Sequence, residues 1–327
     1  MHKIINIILI VCLLGVVTAP SLLANVGAVT NSPDVKMAML KFQQRLLKAQ
    51  QLSIKYLQLD MAKMKEEHER VPVNEIEAIV KRGKLRVAMY STDTPPFYFI
   101  DQNNVLTGVD VVLITGFADL LGIPVEFDRS AKSLDEVVDK VEHHQADIAI
   151  SKLSATFKRS TKVLFSDPYI ILKQSLLINR IELAKQLQGR HQEEVIQHLT
   201  GKLGVVAKSS YVGFAKHFDQ MEVVEYKSWD EIIDDASTGK IMAAFRDDAE
   251  VKKILKDNPD KALNLLSVVL TDADDPKAIA VSFEDRKVKD LLNVYLKSLD
   301  LNLTTDKITN DYYNVISTIE NKINQRL

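Results

Sequence analysis

The stretch Ser133-Leu134-Asp135-Glu136-Val137-Val138-Asp139 recurs as Ser228-Trp229-Asp230-Glu231-Ile232-Ile233-Asp234, and each copy lies between two β-type runs. Both copies carry the Ser-x-x-Glu pattern in which the serine oxygen takes a backbone N–H of the first helical turn and the glutamate reaches back. A chain that repeats strand, capped helix and strand in this way is expected to build two similar α/β halves. Beyond Gly83 the wider pattern agrees, with short β-type runs alternating with amphipathic helical ones, the signature of a largely parallel sheet. Strands are predicted at Leu85 to Met89, Val125 to Asp128, Asp147 to Ser151, Leu203 to Ala207, Val223 to Tyr226 and Met242 to Arg246. Helices are predicted at Val109 to Leu121 and Leu134 to His144. Aligning the copies sets Asp147–Ser151 opposite Met242–Arg246. In open α/β sheets ligands lie beyond the carboxyl ends of strands, so a site is sought at Ser151 to Arg159 and at Arg246 to Asp248.

The N-terminal quarter has a different character. Lys3 precedes an apolar run from Ile4 to Val17, broken only by Asn6 and Gly15, with small residues and Pro20 after it. This is the layout of a secretory signal over residues 1–28, cleaved after Ala24 or Ala28, with an uncleaved inner-membrane anchor as the alternative. Either way the remainder is expected in the periplasm. The single cysteine, Cys12, lies inside that run, so the exported part has no thiol nucleophile, thiolate metal site or disulfide. From residue 32 to 70, Leu40, Leu47, Ile54 and Met61 recur every seven positions with Leu57 and Met64 beside them. One long amphipathic helix is predicted, serving self-association or partner docking, or else folding back onto the main body or acting as a spacer. Val71-Pro72-Val73 breaks the pattern, since the residue before a proline resists helical geometry.

Charge excludes several functions. With 42 Lys and Arg against 44 Asp and Glu, the formal net charge is -2, which gives no general attraction to nucleic acid or anionic lipid. No Gly-rich phosphate loop, basic–aromatic patch or spaced metal-ligand cluster is present; His143-His144 is a helical pair facing different directions. No cofactor, metal or nucleic acid is expected.

The first candidate place reads Ser151-Lys152-Leu153-Ser154-Ala155-Thr156-Phe157-Lys158-Arg159, then Phe165-Ser166-Asp167-Pro168-Tyr169. A serine at a strand end that opens a helix offers a hydroxyl and free backbone N–H groups to an anion. An arginine one turn later holds a carboxylate with two parallel hydrogen bonds. Ser154 and Arg159 have that spacing; a plain cap and a solvated charge fit it too.

The run from Asp147 to Tyr169 resembles a segment of the family 3 extracellular solute-binding proteins, the periplasmic receptors for polar amino acids. Gly83-Lys84-Leu85-Arg86-Val87 with Pro96-Phe97, Gly108-Val109-Asp110, Lys202 to Val206 with Ser209-Ser210, and Ala243 to Asp247 resemble further parts of it, so the likeness runs from Gly83 to Tyr313. It implies an α/β, two-lobed periplasmic-binding-protein-like fold (type 2) with two hinge crossings, preceded by the long amphipathic helix. Lobe 1 would take residues 83–172 and 267–327, and lobe 2 residues 173–266. By matching positions, Arg159 and the backbone around Ser154 would hold a ligand α-carboxylate, Ser210 would add a contact from the second lobe, and Asp247 would take the α-ammonium, unless Asp247 is only a helix cap. Thr94 and Phe97 stand where the family places cleft-lining residues, Phe97 with a core role as the alternative. Lys152 would pair with an acidic ligand side chain or with Asp93, or remain solvated; an unpaired Asp93 would favour a basic ligand. The family also departs from this chain at Val112 and Met242, where it commonly has acidic residues.

The function this implies is capture of an amino acid or similar small carboxylate for an inner-membrane ABC permease, without catalysis. Two alternatives stand beside it: a periplasmic enzyme on the same fold, similar to cyclohexadienyl dehydratase, and a ligand-sensing adaptor that signals through the N-terminal helix.

Overall fold

The computed structural model describes residues 33–69 and 74–325. The predicted signal, Cys12 and the Pro72 break lie outside the described residues. A continuous helix spans Pro33–Glu69, and Leu40, Leu47, Ile54 and Met61 are all exposed along it. That helix belongs to one compact unit, and everything from Asn74 onward belongs to a second. Among the described residues no helix is long and apolar enough to cross a membrane.

The second unit opens with the helix Glu75–Arg82, started by the Asn74 side chain and ended by Gly83 in the left-handed region, where glycine carries no Cβ penalty. The strands then follow as β1 (Leu85–Tyr90), β2 (Phe99–Ile100), β3 (Leu106–Thr107), β4 (Val125–Ala131), β5 (Ile148–Ala149) and β6 (Leu164–Phe165). They continue as β7 (Ile170–Asn179), β8 (Gly201–Val206), β9 (Met221–Tyr226), β10 (Ala243–Asp247), β11 (Leu265–Lys277) and β12 (Ala280–Val281). Two five-stranded sheets result, ordered β4-β1-β5-β12-β6 and β11-β7-β10-β8-β9. Each has a parallel half, β4-β1-β5 in one and β10-β8-β9 in the other, and an antiparallel remainder. These are the two lobes of the expected α/β fold.

Both faces of each sheet are covered, and the strand period of two divides the side chains between them. In β1, Val87 and Met89 enter one core cluster while Ala88 enters another on the opposite face. In β10, Ala243 and Phe245 face one way and Ala244 the other. The first lobe is completed from the C-terminal end of the chain: Tyr295 donates to the Leu113 carbonyl at 2.8 Å, and Ile319 and Ile323 join the same core.

The repeated segment takes equivalent places in the two lobes, between β4 and β5 and between β9 and β10. Ser133 accepts the Glu136 N–H at 3.1 Å and Ser228 accepts the Glu231 N–H at 3.3 Å. The glutamate of the first copy reaches back to the Lys132 N–H, one residue ahead of the cap. Predicted ends shift slightly: the helix after Ser133 stops at Glu142 rather than His144, and β5 is confined to Ile148–Ala149. Asp147 falls just outside the strand; its N–H donates to the Arg86 carbonyl at 2.9 Å, and its carboxylate engages the Arg86 N–H and guanidinium and Arg82.

Two crossings connect the lobes, and they are strands. β7 leaves the first lobe and β11 returns, antiparallel to each other from Leu265↔Asn179 through to Lys277↔Ile170, with a register shift between Val269 and Asp274. Sequence patterning missed both, since neither alternates cleanly.

Candidate functional site

The lobes enclose a cavity of about 270 Å³, somewhat below the range for drug-sized ligands and suited to a small metabolite. The repeated segments face each other across it, Ser133 and Leu134 from one lobe and Ser228 and Trp229 from the other. The expected strand ends also meet there. Ser151, Lys152 and Ser154 follow β5, and Arg246 and Asp247 end β10.

Lys152 is set by its backbone. Its φ of 49° lies in the left-handed region, costly for a side-chain-bearing residue, and the conformation is held by its N–H donating to Asp110 Oδ2 at 2.7 Å. Asp110 is fully buried and also accepts the Tyr169 hydroxyl at 2.8 Å. Burial pushes its carboxyl up to about 7 against the lowering effect of these bonds and of Lys152. Gly108 makes this corner buildable: at its φ of 124° a Cβ would lie 2.2 Å from the Phe97 carbonyl oxygen.

From there the Lys152 ammonium, 5% exposed, reaches Asp247 Oδ2 at 3.1 Å and Glu250 Oε1 at 2.5 Å, with the Phe97 ring 4.9 Å away. The expected pairing with Asp93 and the solvated alternative are both corrected. Asp93 binds Arg129 at 2.7 Å at the cavity edge instead, and two buried carboxylates hold the lysine. Asp247 does cap the following helix, accepting the Glu250 N–H at 3.2 Å, so it serves as cap and ion-pair partner together. Burial would raise both carboxyls; for Asp247 Lys152, Lys277 and Arg246 outweigh it and hold the group at about 2, and for Glu250 Lys152 and Arg246 bring it below the usual carboxylate range.

Ser154 is buried, and its hydroxyl accepts from the Ser210 hydroxyl of the other lobe at 2.9 Å and from Lys277 Nζ at 2.9 Å. It is not the helix cap; Thr156 is, accepting the Arg159 N–H. Lys277 arrives through the bridge Ser154↔Lys277 and also binds Asp275, which accepts the Tyr211 hydroxyl at 2.8 Å. Burial raises the Tyr211 phenol well above its ordinary value, with Asp275 and Asp247 adding to it.

Arg159 stands one layer behind the cavity wall. Its Nη1 donates to the Ser154 carbonyl at 3.3 Å and its Nη2 to Asp135 Oδ1 at 3.1 Å. It is buried, not a solvated charge. Thr94 lines the cavity and donates to the Tyr98 hydroxyl at 3.0 Å, whereas Phe97 is fully in the core.

Sequence reasoning missed Lys277, Glu250 and Trp229. Glu250 carried a signal, one helical turn after Asp247; Lys277 carried none, being brought to Ser154 by the returning crossing. Asp248 leaves the cavity to accept from the Lys173 N–H and the Thr305 hydroxyl. Among the described residues no group of three or more His, Cys, Asp or Glu is placed to hold a metal ion. Taken together, the site holds cations and carboxylates in close balance around a small polar space, which suits binding of a small charged solute.

Comparison with known proteins agrees. Residues 85–315 match the bacterial extracellular solute-binding proteins, family 3. The membrane-bound lytic murein transglycosylase F of Saccharophagus degradans is 32% identical over 165 residues, 50% of this chain and 30% of that protein. The chain spans less than half the length of the transglycosylases it matches. The putative ABC transporter arginine-binding protein 2 of Escherichia coli K12 is 27% identical, over 67% of this chain and 86% of that one. Among solved structures, an ancestral amino acid-binding protein described as a precursor of cyclohexadienyl dehydratase aligns with a TM-score of 0.58 and 26% identity, covering 73% of this chain and 99% of that one.

Proposed function

This chain belongs to the bacterial extracellular solute-binding proteins, family 3, and we propose that it captures an amino acid or similar small carboxylate between its lobes for an inner-membrane ABC permease. The lobes proposed are residues 83–172 with 267–327 and residues 173–266, working in the periplasm. The observation that carries this reading is the Ser210–Ser154 hydrogen bond at 2.9 Å, which links the lobes at the wall of the cavity. A ligand carboxylate there would take hydrogen bonds from Ser154, Ser210 and Lys277. Arg159 fixes Ser154 from behind, Asp247 and Lys152 set the charge at the far wall, Asp93 and Thr94 shape the first-lobe side, and Phe97 backs Lys152 from the core. Closure of the lobes around the solute would form the surface a permease recognises.

Binding without turnover is the favoured outcome. A dehydratase-like reaction needs a proton donor in the cleft, yet both carboxyls of the inner wall, Asp247 and Glu250, are held below the usual carboxylate range by Lys152 and Arg246.

A thermal-shift screen of the exported chain against amino acids and small carboxylates tests the proposal, because a ligand that binds only the folded state raises stability by mass action. A set in which nothing shifts the melting temperature defeats it.

A second reading concerns Pro33–Glu69. Leu40, Leu47, Ile54 and Met61 are exposed at seven-residue spacing, the repeat of a coiled coil. We propose self-association through this helix. Light scattering on the full chain and on a chain lacking residues 33–69 tests it; equal masses per chain count against it.

A further inference from the structure

We propose that the cleft selects a small carboxylate that carries no ammonium group, in preference to the corresponding amino acid. The inference rests on the solute-binding reading of the cavity and narrows it to a ligand class.

The ammonium of a zwitterion is best met by a carboxylate that no protein cation already holds. Two carboxylates line the inner wall, Asp247 and Glu250, and the Lys152 ammonium already lies between them at 3.1 and 2.5 Å. Lys152 cannot readily be pushed aside: it is 5% exposed, its N–H is tied to Asp110, and the Phe97 ring covers it at 4.9 Å. Displacing it would leave a buried ammonium without a partner, and adding a second ammonium beside it would set like charges against each other. Glu250 has Arg246 as a further cation, at 4.0 Å. The other acidic lining groups lie toward the edge, where Asp93 is paired with Arg129 and Asp230 is exposed.

Elsewhere the charged lining groups are mostly cations, although Lys277 is itself paired with Asp275. Lys277 and Ser154 meet at one end, and Lys208 and Lys227 line the cavity with no ion pair among the described residues. Trp229 lines it with a buried indole N–H that finds no acceptor among the described residues, and Arg246 lies over its ring at 5.3 Å. Unused donors around filled carboxylates fit oxygen acceptors on an anion. A 2-oxo or 2-hydroxy acid presents such oxygens and no ammonium.

Trp229 is the single tryptophan of the chain, so its fluorescence reports this cavity directly. The experiment titrates the exported chain with matched sets that differ at one carbon: L-alanine, pyruvate and L-lactate; L-glutamate, 2-oxoglutarate and 2-hydroxyglutarate; L-aspartate and L-malate. The expected result is that in at least one set an oxo or hydroxy acid binds about tenfold or more tighter than its amino acid. Lys152→Met should then narrow or reverse that preference by freeing Asp247 and Glu250. An amino acid that binds as tightly as its counterparts overturns the inference while keeping the solute-binding reading. Absence of binding by every member, read by fluorescence and by melting temperature, overturns the inference, and the solute-binding reading falls only if the wider thermal-shift screen also finds nothing. The comparison on the unsubstituted chain decides the matter even if Lys152→Met does not fold.

Discussion

Lys152 and Asp247, 95 residues apart, occupy the same position in the two repeated units, and their side chains meet across the cleft with Nζ 3.1 Å from Oδ2. The internal repeat therefore places opposite charges at equivalent strand ends, and lobe packing brings them into contact.

That pair supports the fold as well as the site. Lys152→Met leaves Asp247 and Glu250 buried without their nearest cation and should cost roughly 3–5 kcal/mol. Urea denaturation measures it. The double variant Lys152→Met with Asp247→Asn should lose less than the sum of the two single losses, since both remove one interaction.

Asp110 gives stability a pH dependence of defined sign. Its folded value of about 7 lies above the ordinary 3.8, so between these limits the folded chain keeps a proton that the unfolded chain has lost. Its contribution is therefore full below about 4 and declines as pH rises through about 7, with a slope of up to about 1.4 kcal/mol per pH unit. Asp247, held at about 2 against an ordinary 3.8, acts oppositely: its contribution is present above about 4 and is lost as pH falls through about 2. Denaturation of the unsubstituted chain and of Asp110→Asn at pH 5, 6, 7 and 8 checks this. The variant should lack the Asp110 part of the decline; an identical profile would contradict the assignment.

Gly108→Ala should destabilise the first lobe by about 2 kcal/mol or more, because φ is 124° and the new Cβ would meet the Phe97 carbonyl oxygen at 2.2 Å. The neighbouring atoms are backbone and cannot yield as a side chain would. Thermal denaturation gives the value.

Ser210 and Arg159 should separate binding from stability. Ser210→Ala removes a cavity hydroxyl and should weaken ligand binding several-fold at a stability cost of about 1 kcal/mol or less. Arg159→Ala removes the support of Ser154 and the partner of Asp135, so it should weaken binding and lower the melting temperature together. Titration and thermal denaturation of both variants resolve the two effects. A binding loss in Arg159→Ala without any stability loss would mean that Arg159 contacts the ligand itself.

Much of this was legible in the order of residues. Local chemistry suffices for the capped helices after Ser133 and Ser228, for the parallel strands around them, and for the heptad helix. Each depends on hydrogen bonds and side-chain periodicity within a few residues. The same logic located the strand ends that carry Lys152, Ser154 and Asp247, because a repeated unit places equivalent residues in equivalent positions.

The tertiary structure decided what those residues do. Lys152 is charge-paired rather than solvated only because lobe packing brings Asp247 and Glu250 to it, and no local pattern encodes a partner so far along the chain. Lys277 enters the site only because β11 returns antiparallel to β7 and sets it beside Ser154. Arg159 lies behind the wall because Asp135, on the helix of its own lobe, is near enough to hold it. Short-range sequence fixes backbone geometry through dihedral and capping preferences, whereas the pairing of buried charges depends on long-range packing that determines which groups lose their water together.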